Sequence, residues 1–423
     1  MIDDLPPGWV LSTLGDIADV QLGRQRSPQH HNGRQMRPYL RAANVTWNGV
    51  SLDDVKEMNF DDNDFETYRL EPGDMLLNEA SGSPNEVGKP AIWRGEIEDC
   101  CFQNTLLRLR ARAVDVDYLY WFCLFSALTG RFGEAGRGVN IRHLGKQGLM
   151  RFPIAVAPRT QRGRIVAAIE EHFSRLDAAN ASLDAAKLRC QALLKSILVG
   201  AIPSELPPCW RMTTVDEAGE TGLGRQRSPK YHSGPNMKPY LRVANVFEDR
   251  IDASDIMEMH FDATDFDKYR LEVGDVLLNE GQSPEFLGRP AIYRGDPPNI
   301  AFTNSLIRFV PGPDVISEWA LLVFRRHMHS GRFMKESRIT TNIAHLALGR
   351  FRTVEFPVPP LEVQGALVAA TRAALDSVDR TLEQIRSAVA RTAALRRSVL
   401  ASAFGGHLLP QGPDVEPAAD LTG

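Results

Sequence analysis

The chain contains one long stretch of sequence twice. Gly23-Arg24-Gln25-Arg26-Ser27-Pro28 recurs unchanged as Gly224-Arg225-Gln226-Arg227-Ser228-Pro229, 201 residues later. Arg37-Pro38-Tyr39-Leu40-Arg41-Ala42-Ala43-Asn44-Val45 returns at Lys238 to Val246 with seven of nine positions identical. Asp64 to Glu79 returns at Asp265 to Glu280 with twelve of sixteen identical. Gly88-Lys89-Pro90-Ala91-Ile92 matches Gly288-Arg289-Pro290-Ala291-Ile292, and Leu5-Pro6-Pro7-x-Trp9 matches Leu206-Pro207-Pro208-x-Trp210. A period this long exceeds that of any solenoid repeat, so it describes two copies of one domain.

Both copies share an internal grammar. Short strand-like runs come first, such as Pro38–Val45 and Asp74–Leu77, with a turn signal at Glu71-Pro72-Gly73-Asp74. An apolar, aromatic run at Tyr118–Leu128, with its counterpart at Trp319–His329, reads as a buried helix. A Pro-marked segment then ends each domain, at Phe152-Pro153 to Pro158 and at Phe356-Pro357-x-Pro359-Pro360. This order predicts mixed α/β (α+β) domains.

A long helical pattern follows each domain. In the first, Ile165, Ile169, His172, Leu176, Ala179, Leu183, Ala186, Cys190, Leu193 and Ile197 alternate spacings of four and three, a heptad seam. The second, looser, runs through Val368, Thr371, Leu375, Val378, Leu382, Ile385, Val389 and Thr392, and the Gly405-Gly406 pair stops it. Two such helices either serve separate cores or pack on each other. The reading preferred here is an antiparallel coiled coil relating the two halves by a pseudo-twofold axis. The expected division is a first recognition domain over 1–158, a spacer helix over 159–200, a second domain over 201–360, a second spacer helix over 361–405 and a disordered acidic tail over 406–423.

Composition excludes more than it selects. The formal charge is −4 (49 Lys+Arg, 53 Asp+Glu), which argues against a general coater of DNA but leaves room for local basic patches. The start of the chain has no basic run leading into an apolar one, and no stretch approaches membrane-spanning length, so no membrane partner is expected. The five cysteines are odd in number and lack metal-ligand spacing; they read as reduced thiols of a cytoplasmic protein. No Walker lysine loop, zinc pattern or nuclease carboxylate–lysine set is present. Asp296-Pro297-Pro298-Asn299 lacks the aromatic residue that an adenine methyltransferase tetrapeptide needs and reads as a turn. The chain itself therefore reads as non-catalytic, without metal or cofactor.

Duplex DNA has local twofold axes, and two similar domains on a rigid spacer suit an interrupted target with inverted half-sites. Here the chain resembles the specificity (S) subunits of type I restriction-modification systems, over essentially all of residues 5–409. The resemblance rests on the paired Pro-Tyr-Leu-Arg-x-x-Asn-Val segments at 38–45 and 239–246 and the paired Gly-Asp-x-Leu-Leu-Asn-Glu segments at 73–79 and 274–280. It also rests on Phe-Pro-x-Pro-Pro-Leu-Glu-x-Gln at 356–364 and Leu-Arg-Arg-Ser-Val-Leu-Ala-Ser-Ala-Phe-Gly-Gly at 395–406. The first helix opens with a degraded version, Ala157-Pro158-Arg159-Thr160-Gln161. The resemblance implies one target-recognition domain per half-site and helices that set the gap. It implies two modification subunits using S-adenosylmethionine for adenine N6 methylation, and two restriction subunits using ATP and Mg2+. A coiled-coil scaffold that reads no DNA fits the helices but leaves the twin loops unexplained.

The twin Gly-Arg-Gln-Arg-Ser-Pro loops are the leading candidates for DNA contact, because Arg and Gln supply forked donors for guanine and adenine edges or for phosphates. Arg24, Gln25, Arg26, Ser27, Arg225, Gln226, Arg227 and Ser228 form this set, against the plainer alternative of a solvated basic turn. Arg34, Arg37, Lys230 and Lys238 are phosphate candidates. Asn44 and Asn245 serve either as turn caps or as base contacts. Asn78 and Asn279 lead into polar loops, Ala80–Glu86 and Gly281–Glu285, that differ between halves. A further polar loop lies at Arg137–Asn140 and Arg338–Asn342. The clusters Asp61-Asp62-x-Asp64 and Asp262-x-x-Asp265 lack the flanking ligands of a calcium loop and read as acidic, solvated surface.

Overall fold

The computed structural model describes residues 5–81, 86–136, 142–340 and 343–410. The chain forms two compact units, the first built from two separate segments and the second from one. The first comprises Met1–Leu183 with Ser387–Gly423, and the second Asp184–Arg386. The cut falls inside both long helices, Arg159–Gly200 and Leu361–Phe404.

Within the first unit, the central sheet has four antiparallel strands in the order Ala18–Leu22, Leu106–Ala111, Met75–Asn78, Pro90–Ile92. Met75-Leu76-Leu77-Asn78 is buried throughout because side chains alternate between two cores. Met75 and Leu77 face the helix Val116–Leu128, packing among Tyr118, Leu119 and Phe122. Leu76 faces the other way, toward Leu40, Val45, Trp93 and Phe102. Each buried leucine contributes about 2 kcal/mol. The turn before this strand needs Gly73 at φ +95°, and Asp74 locks it by accepting the Glu71 N–H at 2.7 Å. A smaller sheet pairs Met36–Leu40 with Lys56–Asn59 and, in parallel, with Cys101–Phe102. Val10–Thr13 pairs with Pro153–Val156 just before the first long helix.

The second unit repeats this plan. Its four-stranded sheet runs Gly219–Leu223, Leu306–Pro311, Val276–Asn279, Pro290–Ile292. Val276 and Leu278 pack with the helix Ser317–His329, and Leu277 faces the opposite core. His327 on that helix is buried and shares a hydrogen bond with the Glu355 carbonyl at 2.9 Å; burial presses its pKa down to about 4.

Two local expectations change. The run Pro38–Val45 is not one strand: the strand ends at Leu40, and Ala42–Asn44 is a short 3-10 turn. The Asn44 side chain makes that turn by accepting the Arg41 N–H at 3.0 Å. In the first long helix, His172, Ala179 and Leu193 are exposed, whereas Phe173 is buried and Asn180 and Leu194 are half-buried. Phe173 turns inward because its ring meets Trp121 edge-on at 4.7 Å. Val389 is the exception in the second helix, exposed where the seam expected it covered.

Inside the first unit the long helices run antiparallel where they meet. Asp177 pairs with Arg396, and Asn180 accepts from Thr392 at 2.7 Å. Leu400, Ala403 and Phe404 from the end of the second helix complete the core around Tyr118 and Phe122. Among the described residues no helix is long and apolar enough to cross a membrane. Residues 411–423 of the expected tail lie outside the described residues.

Candidate nucleic-acid interface

The twin loops start where the first sheet strand of each unit ends. Gly23 presses on backbone: a Cβ there would sit 2.2 Å from the Gln103 carbonyl oxygen, and one on Gly224 would sit 2.4 Å from that of Phe302. Only glycine passes this point. Arg24 then joins the chain to its neighbour, donating its N–H to Phe102 O at 3.1 Å and accepting from Asn104 at 2.9 Å. Arg225 does the same with Phe302 and Asn304, each at 3.0 Å.

The side chains of Arg24 and Arg225 are only 11% and 7% exposed, so their expected place at a DNA surface is corrected. Arg24 forms an ion pair with Asp64, donates to the Asn59 carbonyl and lies over the Phe60 ring, 5.1 Å from its centre. Arg225 reaches Asp265 at 2.8 Å, donates to the His260 carbonyl and is stacked by Tyr231 and Phe261 at 3.9 and 4.7 Å. A guanidinium offers five donors in one plane, which suits a clamp of this kind. Its partners identify two residues that sequence reasoning treated only as acidic surface, Asp64 and Asp265. Asp61 and Asp262 also have work inside the fold, each capping a helix by accepting the N–H three residues on at 2.8 Å.

With the first arginine anchored, the next two side chains are directed outward. Gln25, Arg26, Gln226 and Arg227 are exposed. Arg26 keeps one contact, to His31 at 3.3 Å, and Arg227 lies 5.8 Å from the Tyr240 ring centre. Ser27 and Ser228, half-buried, precede the short turns Pro28–His30 and Pro229–Tyr231. Beside the loops, Arg34 and Lys230 are exposed. Arg37 and Lys238 are half-buried, Arg37 stacked at 3.6 Å on Phe65 and ion-paired to Asp99 at 3.2 Å, and Lys238 5.1 Å from the Phe266 ring centre.

The four asparagines lie within the fold. Asn44 and Asn245 are buried caps whose Nδ2 groups donate to the carbonyls of Ser51 and Asp252 at 3.0 Å. Asn78 and Asn279 are buried at the ends of the central strands. Asn44 and Asn245 thus take the cap, one of the two roles their sequence context left open. Asn78 and Asn279, candidate contacts from the sequence, are instead buried where they lead into the polar loops. Asn78 and Asn279 are each followed by a glutamate held to a histidine, Glu79 to His143 at 3.0 Å and Glu280 to His345 at 3.2 Å. Of the divergent polar loops, 82–85, 137–141 and 341–342 lie outside the described residues.

The two units thus present the same outward fork, Gln-Arg, on the same inward anchor. Such a fork can grip a base edge or a phosphate. Among the described residues no group of three or more His, Cys, Asp or Glu is placed to hold a metal ion.

No family model matches the chain. It is 22% identical over 424 residues to the type I restriction enzyme EcoKI specificity subunit of Escherichia coli (strain K12), an alignment covering 96% of this chain and 90% of that protein. It is 21% identical over 431 residues to the StySPI specificity subunit of Salmonella potsdam, with the same coverage. Among solved structures, one described as the structural basis underlying complex assembly and conformational transition of the type I R-M system has a chain with a TM-score of 0.71 at 18% identity. That match covers 96% of this chain and 99% of the other. The HsdS subunit from Thermoanaerobacter tengcongensis has a TM-score of 0.53 at 18% identity and the same coverage. By sequence and by fold, over nearly its whole length, the chain is a homologue of the specificity subunits of type I restriction-modification systems.

Proposed function

We propose that this chain is the DNA-reading subunit of a type I restriction-modification complex, each unit reading one half of an interrupted, bipartite site. The observation that carries this reading is the repeated clamp: Arg24 on Asp64 and Arg225 on Asp265 each leave an adjacent Gln-Arg pair facing solvent. A fold needs one anchored arginine there, whereas the exposed pair serves a partner rich in acceptors. In this reading Gln25, Arg26, Gln226 and Arg227 meet the duplex in the grooves. Arg34, Lys230 and the tips of Arg37 and Lys238 meet phosphates, and Arg24 and Arg225 position the loops. Because the twin forks are identical, the half-sites are related and inverted.

The long helices act as an antiparallel coiled-coil spacer and dock two modification subunits that carry S-adenosylmethionine. Two restriction subunits with ATP and Mg2+ join to make the cutting complex, all in the cytoplasm. The chain performs no chemistry alone. Sequencing the methylated genome with wild-type chain and with Gln25→Ala/Arg26→Ala tests this. Expected is an interrupted motif that loses discrimination in one half only. An unchanged motif overturns the assignment of the fork, and no methylation dependence on the chain at all favours a scaffold.

A further inference from the structure

Apart from the polar loops, the duplication is also broken on the side of each unit where the domain helix meets the long helices. In the first unit that place is filled. Trp121 meets Phe173 at 4.7 Å, and Arg396 lies 5.0 Å from the Phe173 ring centre while pairing with Asp177. The positions equivalent to Trp121, Phe173 and Arg396 in the second unit are all leucine: Leu322, Leu375 and Leu194. Asp177 alone is kept, as Asp379.

These replacements open a groove of about 400 Å³, floored by Leu194, Leu322 and Leu375. Five carboxylates line it against two guanidiniums, Arg325 and Arg372. Arg294 pairs with Asp249 and Glu318 at 3.7 Å, and Asp376 and Asp379 are the lining carboxylates with no ion pair among the described residues. Arg325 is already held by Glu248 at 2.7 Å. Glu248 stays below the usual glutamate range despite the opposing effect of its burial, because His329 and Arg325 bond it. Asp379, whose twin has an arginine partner, has none among the described residues. So the second unit keeps the receiving half of an internal contact and lacks the half that fills it. Acidic lining disfavours nucleic acid, and the groups that fill the same place in the first unit are protein side chains, an arginine and two aromatic rings.

We propose that this groove docks one segment of a partner protein that presents an arginine beside a large apolar side chain. The arginine meets Asp379, as Arg396 meets Asp177, and the apolar group covers Leu322 and Leu375, as Trp121 and Phe173 cover each other. Because the first unit supplies these groups itself, the chain takes one such segment, so two like partners bound to the two halves are held differently.

The probe is acetyl-arginyl-phenylalanine amide, titrated at low salt into the full chain with its leucine methyls labelled for NMR. Expected are saturable shifts at Leu194, Leu322 and Leu375, weakened at least threefold by Asp379→Asn, and none with acetyl-glutamyl-phenylalanine amide. Leu194→Arg, which rebuilds the first unit's ion pair in the second, is expected to raise the melting temperature and abolish the shifts at Leu322 and Leu375. Absence of saturable shifts, equal response to the glutamyl peptide, or full binding by Leu194→Arg overturns the proposal. So does duplex DNA that moves the same methyls. None of these readouts depends on base reading by the loops, so either assignment can fail without the other.

Discussion

Arg225 closes on Asp265 at 2.8 Å, and its own chain neighbour Gln226 points away into solvent. The pair divides adjacent residues between holding a loop and offering it. Removing the inward member leaves Asp265, about one third exposed, without its partner and removes the stacking of Tyr231 and Phe261. Arg225→Ala is expected to destabilise the second unit by about 2 kcal/mol, below the 3–5 typical of a fully buried pair. In a unit of this size that is roughly 4 to 8 °C of melting temperature. Gln226→Ala is expected to stay within about 0.5 kcal/mol. Differential scanning calorimetry of the two variants checks both values.

The outward members are expected to act on DNA alone. Arg227→Ala should leave melting unchanged and lower duplex affinity by about 1–3 kcal/mol if it reads a base, or flatten the salt slope by about one ion if it holds a phosphate. Binding isotherms across a salt series, with the modification subunits present, tell the two apart.

His327 sets a pH dependence. Its neutral form is the folded one, with a pKa near 4 against an ordinary value of 6.5. The unfolded chain therefore takes up a proton first as pH falls. Stability is complete above pH 6.5 and is lost progressively down to pH 4, by up to about 3 kcal/mol. His327→Gln keeps a donor for the Glu355 carbonyl but does not titrate. Denaturant midpoints from pH 7 to 4 should fall less in the variant than in the wild type; parallel curves would contradict this.

Phe404 is tied to the first unit's core, with its ring 5.5 Å from Tyr118, 5.4 Å from Phe122 and 5.8 Å from Phe125. Phe404→Ala is expected to cost about 3–5 kcal/mol. The loss should appear as faster amide exchange in Val116–Leu128 with Ser317–His329 unchanged.

The spacer reading has its own consequence. Four residues added to each long helix lengthen it by roughly 6 Å and should widen the preferred gap by roughly one or two base pairs. Methylome motifs of the lengthened chain report it directly.

The duplication and the two long helices were plain in the sequence because they are properties of spacing. The facing of single side chains was not. Arg24 and Arg26 look alike in a Gly-Arg-Gln-Arg-Ser-Pro loop, and their opposite fates are decided by Asn59, Phe60 and Asp64, which arrive much later in the chain. A signal was available: the aspartate recurs at the same offset from the arginine in both halves, as 64 and 265, which a merely solvated surface does not require. Asn44 was open between cap and contact, and the Arg41 amide settled it as a cap. The seam at His172 misled because a strict heptad count ignores the ring of Trp121, which draws Phe173 inward instead.

Because the compact units cut both long helices, the order of synthesis and the order of completion are opposed. Everything the second unit requires, Asp184–Arg386, leaves the ribosome before Leu400, Ala403 and Phe404, which the first unit's core contains. The half that is translated first must wait, with its aromatic helix incompletely covered, until the half translated second has been made. A nascent chain of this design is most vulnerable to proteases and to sticking at its oldest part.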